Sequence, residues 1–402
     1  MPSSASAGEA LLEGVRVVDL SRVLAGPYAT MVLADLGADV VKVERPGEGD
    51  ETRTWGPPYA GGEAAYFLAV NRSKRSVAID LKQPDGLALV LDLCVGADVV
   101  IENFRPGTAA RLGIDGAAIH ARNPRVVYCS ITGFGARVPR ERAGYDFIVQ
   151  AESGLMSITG DPEGPPTKIG VALVDVLTGL NAAAVIVAAL RRRDLGGTGE
   201  HIEVSLLDSA LAALVNVAQN ALVTGEEPPR YGNAHPSIVP YQPFEAADGW
   251  IAVAAANDGL FERLCHAVGR PALASDERFL TNAARVRNRD ELLPVLEEAF
   301  RARTAEEWVT ALDAAGVPVG KIRGVLEALR AAAPVTVRVK HPTAGPLELV
   351  QPPFALESSP LRAAEPPVLL GQHTREVLAE LGVDEERLAA LEQRGIVATA
   401  ET

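Results

Sequence analysis

The chain has 402 residues, 48% hydrophobic and 22% charged, which is the composition of a folded globular protein large enough for two domains. A formal net charge of −14 argues against a nucleic-acid partner, because so acidic a protein repels the phosphate backbone. The N-terminus MPSSASAGEA has no basic region followed by a long apolar run, and no window reaches the uninterrupted apolar length of a membrane span. We therefore expect a cytoplasmic protein without a membrane partner, with residues 1–10 disordered.

Short β-rich runs alternate with helical patterns in the first half of the chain. The runs are almost continuously apolar, which is typical of strands covered on both faces: GVRVVDL, ADVVKVER, RSVAIDL, ADVVIENF and RVVYCSITGFG. A long helix through 168–190, the strand EHIEVSL and one more helix follow. The alternation predicts an α/β domain at 11–224, built on a parallel sheet with helices on its faces.

A proline- and glycine-rich segment then interrupts the pattern. TGEEPPRYGNAHPSIVPYQPF has the composition of a crossing between domains. A hairpin around EAADGWIAVAAA and several helical patterns come next, so we expect a linker and a small α+β domain at 225–333. Residues 334–402 become proline-rich again before TREVLAELGVDEERLAALEQRG, and we expect this tail to return to the large domain.

Most sequence signatures of catalysis are missing. There is no GxGxxG after the first strand, no GxxxxGK[ST], no HExxH and no GxSxG. Nicotinamide, nucleoside triphosphate, zinc and serine-hydrolase chemistry therefore lose their main support, and the sequence implies no metal or redox cofactor.

One carboxylate stands out in KIGVALVDVLTGLNAAAVIVAAL. Asp175 lies there among Val, Leu and Ala with no basic residue near it in sequence. An ionised carboxylate without a partner costs several kcal/mol or more when it leaves water. Three roles fit: structural pairing with a distant cation, general-base catalysis, and covalent attack on an activated carbonyl. Composition does not choose among them.

Cations cluster in loops after the predicted strands, at Arg45, Arg72, Lys74, Arg75, Arg105 and Arg111. Ligands of open α/β sheets bind beyond the carboxyl ends of the strands, so these residues suit a phosphorylated ligand. Solvated loops that pair with the many acidic residues of this chain explain the spacing equally well.

Seven stretches carry a resemblance to a known family: VVDLSRVLAGPYATMVLADLGADVVKVERPGEGDETRTW, NRSKRSVAIDLKQPDG, ENFRPGTAARLGID, ITGFG, VALVDVLTGLNAAAVIVAAL, GNAHPSIVPYQPF and LGQHTREVLAELG. They run in order from Leu12 to beyond residue 380, and together they resemble the class III CoA-transferases, the CaiB/BaiF family, which also contains α-methylacyl-CoA racemases. The resemblance implies an interlocked homodimer. Each chain forms a ring, with a Rossmann-like large domain built from both chain ends and a smaller α+β domain between.

The resemblance also implies a role for individual residues. Asp175 matches the nucleophile that attacks the acyl-CoA thioester. The positions that match CoA contacts are Arg45, Lys74, Arg75, Asn103, Phe104 and Arg111. The positions that match the acyl pocket are Leu24, Trp55, Tyr66 and Tyr145, together with Asn257, Asp258 and Gly259 in the segment AAANDGLF. Leu24 and AAANDGLF depart from the formyl-CoA transferase branch, which puts oxalate and formyl-CoA in doubt.

We expect CoA transfer from succinyl-CoA to a small carboxylic acid, with coenzyme A as substrate and no separate cofactor. Arg22 or Arg53 is a candidate to bind a distal carboxylate. The main alternative is a racemase, whose branch carries G-H-D where this chain reads RAGYDFIVQAESG. Tyr145, with an ordinary pKa near 10, is a poor base at neutral pH, which favours transfer. A non-catalytic CoA-binding homologue is a minor alternative.

Overall fold

The chain forms two compact units in the computed structural model, which describes residues 9–135, 142–332 and 334–400. The first unit combines the described segments up to Ser153, from Gly170 to Ala218 and from Pro334 onward. The second combines Gly154–Ile169 with the segment that begins at Gln219. The sequence prediction had assigned 154–169 to the large domain. Pro162 in this segment instead packs beside Gly232 of the second unit. Most of the predicted disordered N-terminus lies outside the described residues.

The described strands are β1 Arg16–Asp19, β2 Asp39–Glu44, β3 Tyr59–Ala60, β4 Glu63–Ala64, β5 Lys74–Ile79, β6 Val99–Glu102, β7 Val127–Thr132, β8 His201–Ser205, β9 Tyr241–Ala246, β10 Gly249–Ala254, β11 Val319–Lys321, β12 Thr336–His341, β13 Gly345–Val350 and β14 Val397–Ala398. The described α-helices are α1 Ala25–Asp35, α2 Ala65–Val70, α3 Pro84–Val95, α4 Thr108–Leu112, α5 Gly116–Arg122, α6 Asp146–Glu152, α7 Leu155–Ile158, α8 Leu173–Asp194, α9 Leu206–Ala213, α10 Val215–Thr224, α11 Asp258–Ala267, α12 Asn282–Arg287, α13 Arg289–Phe300, α14 Ala305–Ala314, α15 Val325–Ala331, α16 Thr374–Glu380 and α17 Glu385–Gln393.

A seven-stranded sheet in the order β14-β5-β2-β1-β6-β7-β8 organises the first unit. All neighbouring strands in it are parallel except β14, which pairs antiparallel with β5. The mixed α/β fold with a mainly parallel sheet is therefore confirmed. The chain moves outward from β1 in one direction through β2 and β5, then returns to β6 and moves the other way. The strand order thus reverses between β1 and β6, and ligands of such sheets bind outside the carboxyl ends of the strands at this switch point.

The second unit has its own core. Strands β9, β10 and β11 form an antiparallel sheet in the order β11-β10-β9. Residues of helices α11, α13 and α14 pack with the sheet in one buried cluster, in which the ring of Phe300 contacts those of Phe244 and Trp308. The unit is therefore an α+β arrangement stabilised by its own apolar cluster.

Helix α8 is the long apolar helix that carries Asp175. It has 22 residues, and an 18-residue window in it has a mean hydropathy of 2.1, so it is long and apolar enough to cross a membrane by length and composition. The window includes Asp175, so the helix contains no uninterrupted apolar run of this length. In the first unit α8 packs against α1, α6 and α9, and buried residues such as Val174, Ala182 and Ile186 account for much of its apolar character.

Candidate active site

A cavity of about 370 Å³ opens at the switch point of the large sheet. Its wall includes Arg22, Leu24, Asn103, Phe104, Tyr145 and Asp175. Two hydrogen bonds tie the ends of β1 and β6 together here. The backbone N–H of Arg22 donates to Oδ1 of Asn103 at 2.9 Å, and Nδ2 of Asn103 donates to the carbonyl of Arg22 at 2.7 Å. The cavity therefore lies where the strand order predicts a ligand site.

The sequence DVLTG explains how α8 brings Asp175 to this cavity. Gly179, one turn after Asp175, lies so close to α1 that an added Cβ would be 2.6 Å from the carbonyl oxygen of Ala25. Thr178 is buried and donates its hydroxyl to the carbonyl of Val174 at 2.7 Å. Any side chain at 179 would push the two helices apart, so glycine allows the first turn of α8 to reach the cavity wall.

The carboxyl group of Asp175 is electrostatically unusual. Burial raises its pKa, the neighbouring negative charge of Asp146 raises it further, and the result is a pKa of about 7 instead of the ordinary 3.8. A carboxylate that is poorly solvated and has no tight cationic partner is a better base and nucleophile than one in water. The lone apolar context of Asp175 in the sequence thus corresponds to a poorly solvated carboxyl group at the cavity wall.

Asp146 is a residue of the site that the sequence analysis missed. Its carboxylate is buried and accepts hydrogen bonds from the backbone N–H of Val174 at 2.8 Å and of Asp175 at 3.3 Å. Nε2 of Gln150 donates to its other oxygen at 2.6 Å. The one available signal was an acidic residue directly after Tyr145 with an amide side chain four positions later, on one face of a helix.

An ionic network is buried beside the cavity. Nζ of Lys74 lies 3.2 Å from Asp19 and donates to the carbonyl of Pro27 at 2.8 Å, and Lys42 pairs with Asp50 at 3.0 Å. Burial favours the neutral form of Asp19, but the charges of Lys42 and Lys74 outweigh it and lower its pKa to about 2. Burial lowers the pKa of Lys74 to about 8. This geometry gives Lys74 a structural role in the network, and Lys74 does not belong to the wall of the cavity.

The other predicted CoA contacts lie at different places. Arg75 is on β5 and pairs with Asp39 at 2.5 Å, so its guanidinium is occupied within the unit. Arg45 is exposed in the loop after β2 and pairs with Glu48 at 2.6 Å. Arg111 is exposed on α4 and donates to Thr108 at 2.8 Å. The structure brings Asn103 and Phe104 to the cavity wall and leaves these three arginines outside it.

Three of the predicted acyl-pocket residues of the first unit, Leu24, Trp55 and Tyr66, lie close to one another. Leu24 and Tyr66 pack in one apolar cluster with Ala172, the residue before α8. The ring of Trp55 meets that of Tyr66 edge-on, with 5.4 Å between the ring centroids. Burial and the nearby charge of Asp175 raise the pKa of Tyr66 to about 12, so its hydroxyl stays neutral and able to donate a hydrogen bond.

The remaining predicted residues have structural partners. Asn257 caps α11 by accepting from the N–H of Leu260, and Gly259 follows in the same helix. Asp258 pairs with Arg285 at 2.8 Å. All of these residues belong to the second unit.

Arg53 is no candidate for a substrate carboxylate. Its guanidinium is buried and held by Glu44 at 2.7 Å and Glu63 at 2.8 Å. Arg22 differs, because it lines the cavity and its acidic neighbour Glu51 is 4.0 Å away. Arg22 is therefore the better placed of the two arginines to meet an anion.

Comparisons with known proteins agree over nearly the whole chain. The model of the CoA-transferase family III matches residues 12–374. A succinyl-CoA:glutarate CoA-transferase of Mus musculus is 43% identical over 397 residues, covering 97% of this chain and 91% of its own. A succinate–glutarate CoA-transferase of Agrobacterium fabrum is 45% identical over 381 residues, covering 92% of this chain and 95% of its own. The crystal structure of a CaiB/BaiF family protein from Brucella suis is 42% identical, with a TM-score of 0.83 over 93% of this chain and 100% of that one.

Proposed function

Because the chain belongs to the family III CoA-transferases, enzymes that move CoA from an acyl-CoA to a carboxylate, we propose that it transfers CoA from succinyl-CoA to a second small dicarboxylic acid through a covalent intermediate on Asp175. The observation that carries the proposal is the half-buried Asp175 carboxyl in the switch-point cavity, whose pKa is raised to about 7 by burial and by Asp146. The curated relatives named above act on succinyl-CoA and glutarate, and glutarate is the acceptor to test first.

The proposed reaction consists of four acyl transfers. The Asp175 carboxylate attacks the thioester carbonyl, the C–S bond breaks, and CoA thiolate leaves a mixed anhydride on the enzyme. The thiolate attacks the aspartyl carbonyl and expels succinate, which leaves an aspartyl-CoA thioester. The acceptor carboxylate then attacks this thioester, and the thiolate finally attacks the acceptor side of the new anhydride. Asp175 is regenerated as a carboxylate and the acceptor departs as its CoA thioester.

The environment of Asp175 suits these steps. Near-apolar walls limit the solvation of the attacking carboxylate and limit access of water, which would hydrolyse an anhydride. Since Asp175 attacks in its ionised form and its pKa is about 7, activity is expected to rise with pH through that value. Arg22 is the proposed partner for the distal carboxylate of the donor or acceptor, because it lines the same cavity and its acidic neighbour Glu51 is 4.0 Å away.

Further parts of the proposal come from the family resemblance. Asn103 and Phe104 are proposed to contact CoA at the cavity, with Arg45 and Arg111 near its phosphates. The enzyme is proposed to act as an interlocked homodimer with no cofactor besides its CoA substrate. Sedimentation velocity of the purified chain tests the dimer, and a monomer that transfers CoA at full rate contradicts it.

The function is tested by incubating the enzyme with succinyl-CoA and a panel of carboxylic acids, followed by mass spectrometry of products and peptides. We expect glutaryl-CoA to form and a hydroxylamine-sensitive adduct to appear on the peptide that contains Asp175. Asp175→Ala should lose transfer and adduct while retaining CoA binding. Asp384→Ala, which removes an exposed carboxylate that caps α17, is the matched control and should keep both. An active Asp175→Ala variant contradicts the nucleophile assignment.

Running the same incubation in D₂O with a chiral 2-methylacyl-CoA tests the racemase alternative. Transfer predicts new CoA esters without deuterium at the α-carbon. Deuterium incorporation without CoA exchange contradicts the proposed function.

A further inference from the structure

We propose that Asp146 is a positioning residue for Asp175: it caps the helix that carries the nucleophile and holds a second negative charge against it. This inference rests on the proposed role of Asp175. Asp146 accepts a hydrogen bond from the backbone of Asp175, and the role proposed for it requires no contact with the substrate.

Helix α8 lacks an N-terminal cap of its own. Ala172 occupies the N-cap position and has no side-chain acceptor for the free N–H groups of the first turn. Asp146, 28 residues before Val174 and on a different helix, supplies the missing acceptor through Oδ1. The backbone of Asp175 is therefore fixed directly by Asp146, at the turn where a small rotation would move its carboxyl group away from the cavity.

The side chain of Asp146 is itself held in one orientation. It is buried at the first position of α6, and Nε2 of Gln150, one turn later, donates to its Oδ2 at 2.6 Å. The same Nε2 lies 3.5 Å from the carbonyl of Val171, just before α8. The two oxygens of Asp146 thus have separate partners, one on α8 and one on its own helix.

Asp146 also affects the electrostatics of Asp175. Free N–H groups at a helix N-terminus stabilise a nearby carboxylate and lower its pKa. Here Asp146 accepts from two of those N–H groups, and it faces Asp175 with a like charge that adds to the effect of burial. The described titratable and charged groups that face Asp175 are Asp146 from α6, Tyr66 from α2, and the cavity residues Tyr145, Arg22, Glu51, Arg105 and Arg142.

A more basic carboxylate is a stronger nucleophile, so the charge of Asp146 is expected to increase the reactivity of Asp175 toward the thioester. The cap and the charge are separable by substitution. Asp146→Asn keeps an oxygen that can accept from Val174 and Asp175 but removes the charge. Asp146→Ala removes both.

The test measures the carboxyl group of Asp175 itself. Carbodiimide reacts with protonated carboxyl groups, and labelling of the Asp175 peptide, followed by mass spectrometry as a function of pH, reports its titration without requiring turnover. In the full-length wild-type protein we expect half-maximal labelling near the pKa of about 7. In Asp146→Asn we expect this midpoint to fall by roughly one pH unit, with a roughly tenfold loss of the limiting kcat/KM.

Amide hydrogen exchange separates the cap from the charge. We expect faster exchange of the amides of Val174 and Asp175 in Asp146→Ala and near wild-type exchange in Asp146→Asn. Asp384→Asn makes the same chemical change at the exposed cap of α17 and should alter none of these readouts.

Failure of this inference is distinguishable from failure of the proposed function. An unchanged labelling midpoint in Asp146→Asn, together with intact CoA transfer in the wild type, overturns the role of Asp146 alone. If the midpoint is lowered in Asp146→Asn but the wild-type protein transfers no CoA, the proposed function is overturned. The coupling of the two carboxyl groups then still stands. Equal midpoint shifts in Asp146→Asn and Asp384→Asn also overturn the inference.

Discussion

Replacing Asp175 with asparagine should stabilise the protein above neutral pH. The native carboxyl group keeps its proton up to a pKa of about 7, whereas in the unfolded chain it ionises near the ordinary 3.8. Between these values the native state binds more protons than the unfolded state, so the free energy of unfolding falls as pH rises. These two pKa values differ by roughly three pH units, so the free energy of unfolding falls by at most about 4 kcal/mol by pH 8. Asparagine does not titrate and avoids this loss.

Urea unfolding of wild type and Asp175→Asn at about pH 5.5 and pH 8 measures the effect. The stability advantage of the variant should grow by about 2 kcal/mol between the two conditions, because the wild-type group titrates through its pKa there. Asp384→Asn serves as the control and should show the same stability difference from wild type at both pH values. A pH-independent advantage for Asp175→Asn, or a variant less stable than wild type at pH 8, refutes the reasoning.

Three further predictions concern the surroundings of the site. Asp19→Asn should lower the free energy of unfolding at pH 7 by roughly 3–5 kcal/mol, because it leaves the buried ammonium of Lys74 without this carboxylate partner. Urea denaturation measures the loss, and a loss below about 1 kcal/mol contradicts the prediction. Arg53→Lys should be less stable than wild type, since it breaks the two-point contact with Glu44. It should leave the preference between mono- and dicarboxylic acceptors unchanged, and an altered preference in an acceptor assay argues for a role in substrate binding. Val23 adopts a φ of 70°, a backbone conformation that favours glycine. In thermal unfolding Val23→Gly should therefore be about 1 kcal/mol more stable than Val23→Ala. Equal stability of the two variants contradicts backbone strain at this position.

Local patterns were enough to predict the sheet. In strands such as β6 the residues Val99, Val100 and Ile101 form a buried apolar run, because helices cover both faces of a parallel sheet. Asp175 was also found from local sequence, since a single carboxylate in an apolar run is an anomaly visible in one window. In both cases, the apolar strands and the lone carboxylate, the pattern that supports the prediction lies within a few neighbouring residues of the sequence.

The roles of the cations depended on distant partners. Lys74 pairs with Asp19 across 55 positions, and Arg53 donates to the carbonyl of Val368 across 315. Arg22 and Arg53 look alike in sequence, but the second is enclosed by acids and the first lines the cavity. Asp146 was missed for the same reason, because its function depends on N–H groups 28 and 29 residues away. Such pairings are properties of the fold, and residue type alone does not specify them.

The features of Asp175 on which its proposed reactivity depends also reduce the stability of the native state above neutral pH. Burial and the charge of Asp146 both oppose ionisation, so above its pKa of about 7 the native state must hold two neighbouring carboxylates with little solvation. Neutralising either group should relieve this repulsion and at the same time weaken the nucleophile. A structural carboxylate would instead be expected beside a cation, as Asp19 is beside Lys74, where ionisation favours the native state. The contrast between these two aspartates in one domain is therefore the strongest physical argument that Asp175 is retained for chemistry.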